Sequence, residues 1–170
     1  MRRVMLLMGM SLDGYAASGW LPPARTKRYG DEQSRDVWKA LASVDAFIMG
    51  RVTYDIWRRF WPTAASSRSE LDARFSRLVE QAEKIVFSKT LESVDWNNAR
   101  LGDRNLADEI ASMRRTRGKN IAIVGGGKIA RAFGDLGLID DYYVWVHPLI
   151  QGSGTMLLGA ATSPQKMRLI

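Results

Sequence analysis

Five short apolar runs, each separated from the next by a stretch of helical period, constrain this chain more than any other feature. Arg3 to Met8, Asp45 to Met49, Lys84 to Phe87, Asn120 to Val124 and Asp141 to Val146 read as buried strands. Between them, apolar residues recur at three- and four-residue spacing: Val37, Trp38, Leu41 and Ala42; Leu71, Phe75, Leu78, Val79 and Ala82; Leu106, Ile110 and Met113; Ile129, Ala130 and Phe133. Strands joined through helices need crossover connections, and those build a sheet covered on both faces. The expectation is an α/β chain, three-layer α/β/α with a mostly parallel central sheet. A length of 170 residues suits a single domain, 1–170, with a substantial core.

Several function classes are disfavoured early. No apolar run approaches the ~18 residues a membrane helix needs, so no membrane role is expected. Met1-Arg2-Arg3 and the five apolar residues after it faintly resemble a leader, but Gly9 and Ser11-Leu12-Asp13 follow at once, and a buried first strand fits better. The chain has no cysteine, which removes disulfides, thiolate nucleophiles and zinc–thiolate sites and fits a cytoplasmic location. A net charge of +7 invites a nucleic-acid reading. Yet the basic residues are interleaved with acids, and the densest group, Arg114, Arg115, Arg117 and Lys119, reads as a solvated helix end before a strand. A binder of small phosphorylated molecules accounts for the same excess, and no nucleic-acid partner is expected.

Two stretches read as loops: Gly19 to Gly30, long enough for a lid, and Pro62 to Ser69, linking two helices. The sharpest chemical signal is Val124-Gly125-Gly126-Gly127-Lys128-Ile129, where a strand runs through three glycines into a helix. Glycine admits a phosphate close to the backbone, and the helix start supplies N–H groups and a positive dipole end. The blander alternative is a tight turn that needs glycine for sterics alone. A conventional dinucleotide domain would place this turn after its first strand, whereas here it follows the fourth. Met49-Gly50-Arg51-Val52-Thr53-Tyr54 and Phe87-Ser88-Lys89-Thr90 are two more strand ends bearing glycine, cations and hydroxyls. Three such ends suggest one extended polyanionic ligand, a dinucleotide with an extra phosphate.

In order and spacing, Ser11-Leu12-Asp13-Gly14, Met49-Gly50-Arg51-x-Thr53-Tyr54, Phe87-Ser88-Lys89 and Val124-Gly125-Gly126-Gly127 resemble successive signatures of the dihydrofolate reductase-like superfamily. Leu138-Ile139-Asp140-Asp141-Tyr142 through His147-Pro148-Leu149-Ile150-Gln151-Gly152-x-Gly154 is similar to the branch containing the C-terminal reductase domain of the riboflavin-biosynthesis protein RibD. The match runs from about Met5 to Leu158. It implies the dihydrofolate reductase-like fold, NADPH as hydride donor and a homodimer. Carried over, Arg51, Thr53, Ser88 and Lys89 would hold the adenosine ribose and its 2′-phosphate, and Gly50 would let the cofactor approach the backbone closely. Gly125, Gly126, Gly127, Lys128 and Ile129 would cradle the pyrophosphate, and Gly9 to Ala17 would border the nicotinamide. Trp20, Tyr54 and Trp57 would line the substrate.

Asp13 is the candidate proton donor, although Leu-Asp-Gly is also a good turn. Asp31, Glu32 and Asp36 do not align with the acid of folate-reducing relatives, which argues against dihydrofolate itself. The lone His147 cannot build a metal site or a triad and reads as structural; no metal site is expected. The resemblance also implies a final antiparallel strand pair, of which Met167 to Ile170 reads as the beginning. The leading expectation is NADPH-dependent reduction of a small pterin- or pyrimidine-like heterocycle. Two alternatives stand beside it: a 5-amino-6-(5-phosphoribosylamino)uracil-type reductase, and a nucleotide-binding module without turnover.

Overall fold

The computed structural model describes residues 1–16, 38–66, 70–158 and 166–169. The predicted lid, with Trp20, lies outside them, as does most of the chain between Leu158 and the C-terminus. Among the described residues, six strands make one sheet: β1 (Val4–Ser11), β2 (Val44–Gly50), β3 (Glu83–Phe87), β4 (Ala99–Leu101), β5 (Asn120–Ile123) and β6 (Asp141–His147). Their order is β4-β3-β2-β5-β1-β6, and every pair is parallel. Among the described residues a helical stretch, 38–42, precedes β2, and four complete helices follow: α1 (Arg51–Ala64), α2 (Glu70–Gln81), α3 (Leu106–Arg115) and α4 (Gly127–Asp135).

Side chains alternate along each strand and so divide the core in two. Met5, Leu7, Phe47, Met49, Val86, Ala122 and Val124 meet α1 and α2 through Tyr54, Trp57, Trp61, Phe75 and Val79. Val4, Leu6, Met8, Ile48, Ile85, Ile121 and Ile123 meet α3 and α4 through Ile110, Met113, Ala130 and Phe133. On the first face Phe75 packs edge-on against Trp57 and Trp61, with ring centroids 5.7 and 4.4 Å away. Strands buried on both faces read as continuous apolar runs, which is why five of the six were predictable.

Two elements differ from expectation. β4 is three half-buried residues at the sheet edge, Ala-Arg-Leu, too short to carry a period. α1 also continues through Pro62 into what reads as a loop, ending at Ala64. Burial of Trp61 and Ala64 holds that last turn against the sheet and offsets the bond that proline cannot donate. The Thr63 hydroxyl donates to the Phe60 carbonyl at 2.8 Å and the Ser66 hydroxyl to the Thr63 carbonyl at 3.1 Å, satisfying acceptors at the helix end.

Ion pairs tie the amino ends of the strands. Arg2 bonds Asp45, the Lys119 carbonyl and Thr116, while Arg100 bridges Glu83 and the buried Glu109. Arg114, in the last turn of α3, pairs with Asp140 at 2.6 Å, in keeping with a helix-end role for that basic group. Lys84 is fully buried, and its ammonium donates to the carbonyls of Val79 and Glu80 at 2.6 and 3.3 Å, at the end of α2. It also lies 4.7 Å from the centre of the Trp96 ring.

Burial pushes the Lys84 ammonium down from 10.5 to about 8. Between those values the unfolded chain binds more protons than the folded one, so this group's contribution to stability rises with pH across that window. Urea unfolding at pH 7.5, 8.5 and 9.5 should show this rise in the native protein relative to Lys84→Met, which lacks the titrating group. Parallel pH profiles for the two proteins would contradict it.

Candidate functional site

The chain leaves β2 towards β3 on one side and leaves β5 past β1 to β6 on the other. These two neighbouring strands therefore form the topological switch point, where open α/β sheets gather ligands beyond the carboxyl ends. α1 leaves β2 on one face of the sheet and α4 leaves β5 on the other, as their core contacts require. The two helix starts flank one crevice. Their contact is tight: Gly125 has φ +111°, and a Cβ there would fall 2.1 Å from Thr53 Oγ1.

The glycines at this crevice divide into two kinds. Gly125 and Gly127 are required by the fold. A Cβ on Gly127 would lie 2.8 Å from Thr155 Cγ2 and 2.9 Å from the Ala16 Cβ. Gly50 and Gly126 are not so required: their φ values are −88° and −86°, and a Cβ at either position meets nothing within 4 Å. Both are N-caps without a side-chain cap bond, and neither helix carries an acid in its first turn. A helix start usually recruits Ser, Thr, Asp or Asn to its N-cap. Two adjacent helices that leave theirs bare and open suit an external anion.

Phe87 is in register with Gly50, so 88–90 follow β3 beside the start of α1. Lys89 and Arg51 are exposed there, Arg51 only 3.7 Å from Asp55. Ser88 Oγ accepts the amides of Thr90 and Leu91 at 3.1 and 3.0 Å, so it shapes the loop that carries Lys89. Lys128 is exposed on the first turn of α4. Ile129 corrects one detail, because its N–H goes to the Gly126 carbonyl at 3.2 Å and its side chain packs on the second core. The amides ahead of it are the ones a phosphate would meet.

Tyr54 and Trp57 are 2% and 3% exposed within the first core, so neither lines a substrate. The helical period decides this: Tyr54, Trp57, Trp61 and Ala64 share one face of α1, and that face lies on the sheet. Tyr54 instead acts as a latch. Its hydroxyl donates to Asp95 Oδ1 and accepts the Asp95 amide, each at 2.9 Å, while Arg58 contacts both carboxylate oxygens at 2.9 Å. Burial raises the Tyr54 phenol, and the Tyr54 hydroxyl, ahead of Arg58, lowers the Asp95 carboxyl. The latch ties α1 to the loop downstream of Ser88 and Lys89, and nothing in the spacing of Tyr54 and Asp95 signals it.

Asp13 does not have the surroundings of a proton donor. Its carboxylate accepts the Ser11 hydroxyl and the amides of Gln151 and Gly152, the latter two at 3.0 and 2.8 Å. Those bonds, the Ser11 hydroxyl first, hold it down at about 2. Asp13 is an anchor that fastens the 149–157 segment to the end of β1. The Ala16 amide reaches the Thr155 carbonyl at 2.8 Å and the Leu157 amide reaches the Gly14 carbonyl at 2.9 Å, extending that link. Among the described residues, no group of three or more His, Cys, Asp or Glu is arranged to hold a metal ion, and no helix is long and apolar enough to cross a membrane.

Comparison with known proteins decides the family: residues 2–170 match the RibD C-terminal domain. The chain belongs to that family. Among curated relatives, YyaP of Bacillus subtilis, an uncharacterized protein, is 30% identical over 117 residues, covering 69% of this chain and 61% of its own length. The chain thus spans under two thirds of YyaP. YwjB of the same organism, also uncharacterized, is 25% identical over 99% of this chain and 89% of its own.

Solved structures share the fold at lower identity. A protein of Shewanella sp. PV-4, provisionally named for riboflavin biosynthesis, superposes with a TM-score of 0.63 at 22% identity, over 96% of this chain and 86% of that one. The diaminohydroxyphosphoribosylaminopyrimidine deaminase/5-amino-6-(5-phosphoribosylamino)uracil reductase of Thermotoga maritima gives 0.62 at 18%, over 99% of this RibD C-terminal domain protein and 52% of that chain. A pyrimidine reductase-like protein of Corynebacterium diphtheriae gives 0.57 at 15%, over 99% and 84%.

The Tyr54 latch is testable directly. Tyr54→Phe removes two hydrogen bonds at a buried ring and should cost about 1 kcal/mol, lowering Tm by roughly 2–4 °C in thermal unfolding. An unchanged Tm would mean that water replaces the latch without loss.

Proposed function

We propose that this protein is a reductase of the riboflavin-pathway type that uses NADPH to reduce a small planar heterocycle of pterin or pyrimidine kind. The observation that carries the reading is the pair of bare, open N-caps at Gly50 and Gly126, one on each of the two helices that start at the switch point. The strand order supplies the rest. Along the carboxyl edge the ends of β3, β2, β5, β1 and β6 follow in sequence, four steps of about 4.8 Å each, or roughly 19 Å. That is the scale of an extended dinucleotide with a heterocycle beyond it. Lys89 and Arg51 would take the 2′-phosphate, the starts of α1 and α4 the pyrophosphate, and the end of β1 would border the nicotinamide.

When bound, NADPH supplies the hydride, and the protein's part is to fix two flat rings against each other. Thr53 and Gly125 hold the two helix starts at one separation, and the Tyr54–Asp95–Arg58 latch steadies the loop bearing Lys89. Asp13, anchored as a carboxylate, keeps the 149–157 segment closed against β1. The uracil-type reductase of riboflavin synthesis remains the specific alternative, favoured by the named activity of the Thermotoga maritima protein. A homodimer is part of the same proposal.

Quenching of tryptophan fluorescence during titration with NADPH and NADH tests the cofactor. Arg51→Ala and Lys89→Ala should each weaken NADPH by about tenfold, equivalent to about 1.4 kcal/mol, and leave NADH nearly unaffected. Equal weakening of both cofactors would remove the 2′-phosphate assignment. Gly126→Ser separates fold from ligand, because serine is a good N-cap and meets open space. Its Tm should hold or rise while NADPH binding is lost. Retained binding would mean that no phosphate approaches this turn.

A further inference from the structure

Threonines press on the glycine turn ahead of α4 from two sides. On the α1 side, Thr53 Oγ1 would lie 2.1 Å from a Cβ at Gly125. On the other side stands Thr155, whose Cγ2 and Cβ would lie 2.8 and 3.2 Å from a Cβ at Gly127. Both threonines are half-buried. The other described threonine hydroxyls are all engaged: Thr63 donates to the Phe60 carbonyl, Thr116 donates to the Met113 carbonyl, and Thr90 pairs with Ser88 Oγ. Those of Thr53 and Thr155 meet no hydrogen-bonding partner among the described residues. Polar groups that leave solvent are generally paired, and here the two open hydroxyls flank one and the same turn. Thr53 already belongs to the cofactor reading; Thr155 does not.

Backbone bonds, not its own hydroxyl, hold Thr155 in place. Its carbonyl accepts the Ala16 amide at 2.8 Å, the Leu157 amide donates to the Gly14 carbonyl at 2.9 Å, and Met156 bridges Tyr15 in antiparallel fashion. Asp13 fastens the amides of Gln151 and Gly152 a few residues earlier. Ala16 shares the contact with α4, its Cβ standing 2.9 Å from a Cβ at Gly127. The Thr155 methyl alone meets the packing need at Gly127, and a valine of the same shape would serve there. The hydroxyl on that Cβ therefore has no structural task among the described residues, yet it stands beside the first residue of α4.

We propose that Thr155 is a cofactor-binding residue whose hydroxyl donates to the pyrophosphate at the start of α4, making the 149–157 segment a third wall of the crevice. This rests on the cofactor reading given above and adds to it a residue from beyond β6. A hydroxyl donating to a phosphate oxygen forms a charge-assisted bond, stronger than one between neutral groups. The pyrophosphate is common to NADPH and NADH, so Thr155 contributes equally to both. That separates it from Arg51 and Lys89, which act on the 2′-phosphate alone.

Two substitutions divide the side chain. Thr155→Val keeps the methyl against Gly127 and removes only the hydroxyl, whereas Thr155→Ser keeps the hydroxyl. In fluorescence titrations Thr155→Val should bind NADPH and NADH each about tenfold more weakly, and Thr155→Ser should stay within about threefold of the native protein. The ligand-free Tm of Thr155→Val should match the native value. In phosphorus NMR of bound NADP+, Thr155→Val should move the pyrophosphate signals and leave the 2′-phosphate signal in place. Native affinity in Thr155→Val overturns the assignment and leaves the cradle standing. Weakening of NADPH alone, or movement of the 2′-phosphate signal, overturns it by placing Thr155 at the other phosphate. A lowered ligand-free Tm without rescue by serine overturns it in favour of packing. Failure of the native protein to bind either cofactor would instead strike the cofactor reading.

Discussion

The pairing of β2 with β5 is the constraint on which the rest of the structure depends. Two parallel strands lie side by side, Ile48 against Ile123, and their chains depart to opposite faces. The helices that follow must then begin within contact of each other, and only a glycine at 125 permits it, since any Cβ would collide with Thr53. Fold stability and the geometry of the crevice are thus set by one packing event. It pins the separation of two helix starts, and their positive ends converge without any charged side chain being buried.

Around that contact the remaining features act as supports. The first core, dense in Trp57, Trp61 and Phe75, holds α1 in place. The Asp95 latch transmits that position to the loop beyond β3, and Asp13 does the same for the segment beyond β6. The amino ends of the strands carry ion-pair networks and a capped helix end at Lys84, while the carboxyl ends carry glycines and exposed cations. This polarity, ties at one edge and openings at the other, is what an open parallel sheet needs to present a ligand groove.

The strands were legible because burial on both faces makes them continuous apolar runs, and the glycine turns were legible because few other local structures need them. Trp57 and Tyr54 were misread because a sequence shows that an aromatic lies near a binding motif but not which side of the helix it occupies. The face is settled by Trp61 and Ala64, which fall in phase with them and lie buried. β4 is invisible for a different reason: three edge residues carry no period, and their place shows only in the pairing with β3 and in Arg100's bonds to Glu83 and Glu109. Asp13 reads from Leu-Asp-Gly both as a proton donor and as a turn residue, and what makes it an anchor, its backbone partners at 151 and 152, is distant in sequence. His147 reads as structural, and its close packing on Gly9 emerges only from the pairing of β1 with β6.

In the proposed function, the bare helix starts at Gly50 and Gly126 form one pyrophosphate cradle. A crystal structure with NADPH tests it most directly. The pyrophosphate is expected between the first turns of α1 and α4, with the 2′-phosphate towards Arg51 and Lys89 and the nicotinamide towards Gly9. A dinucleotide seated at the amino edge of the sheet, or lying across the crevice with its ends reversed, would contradict it.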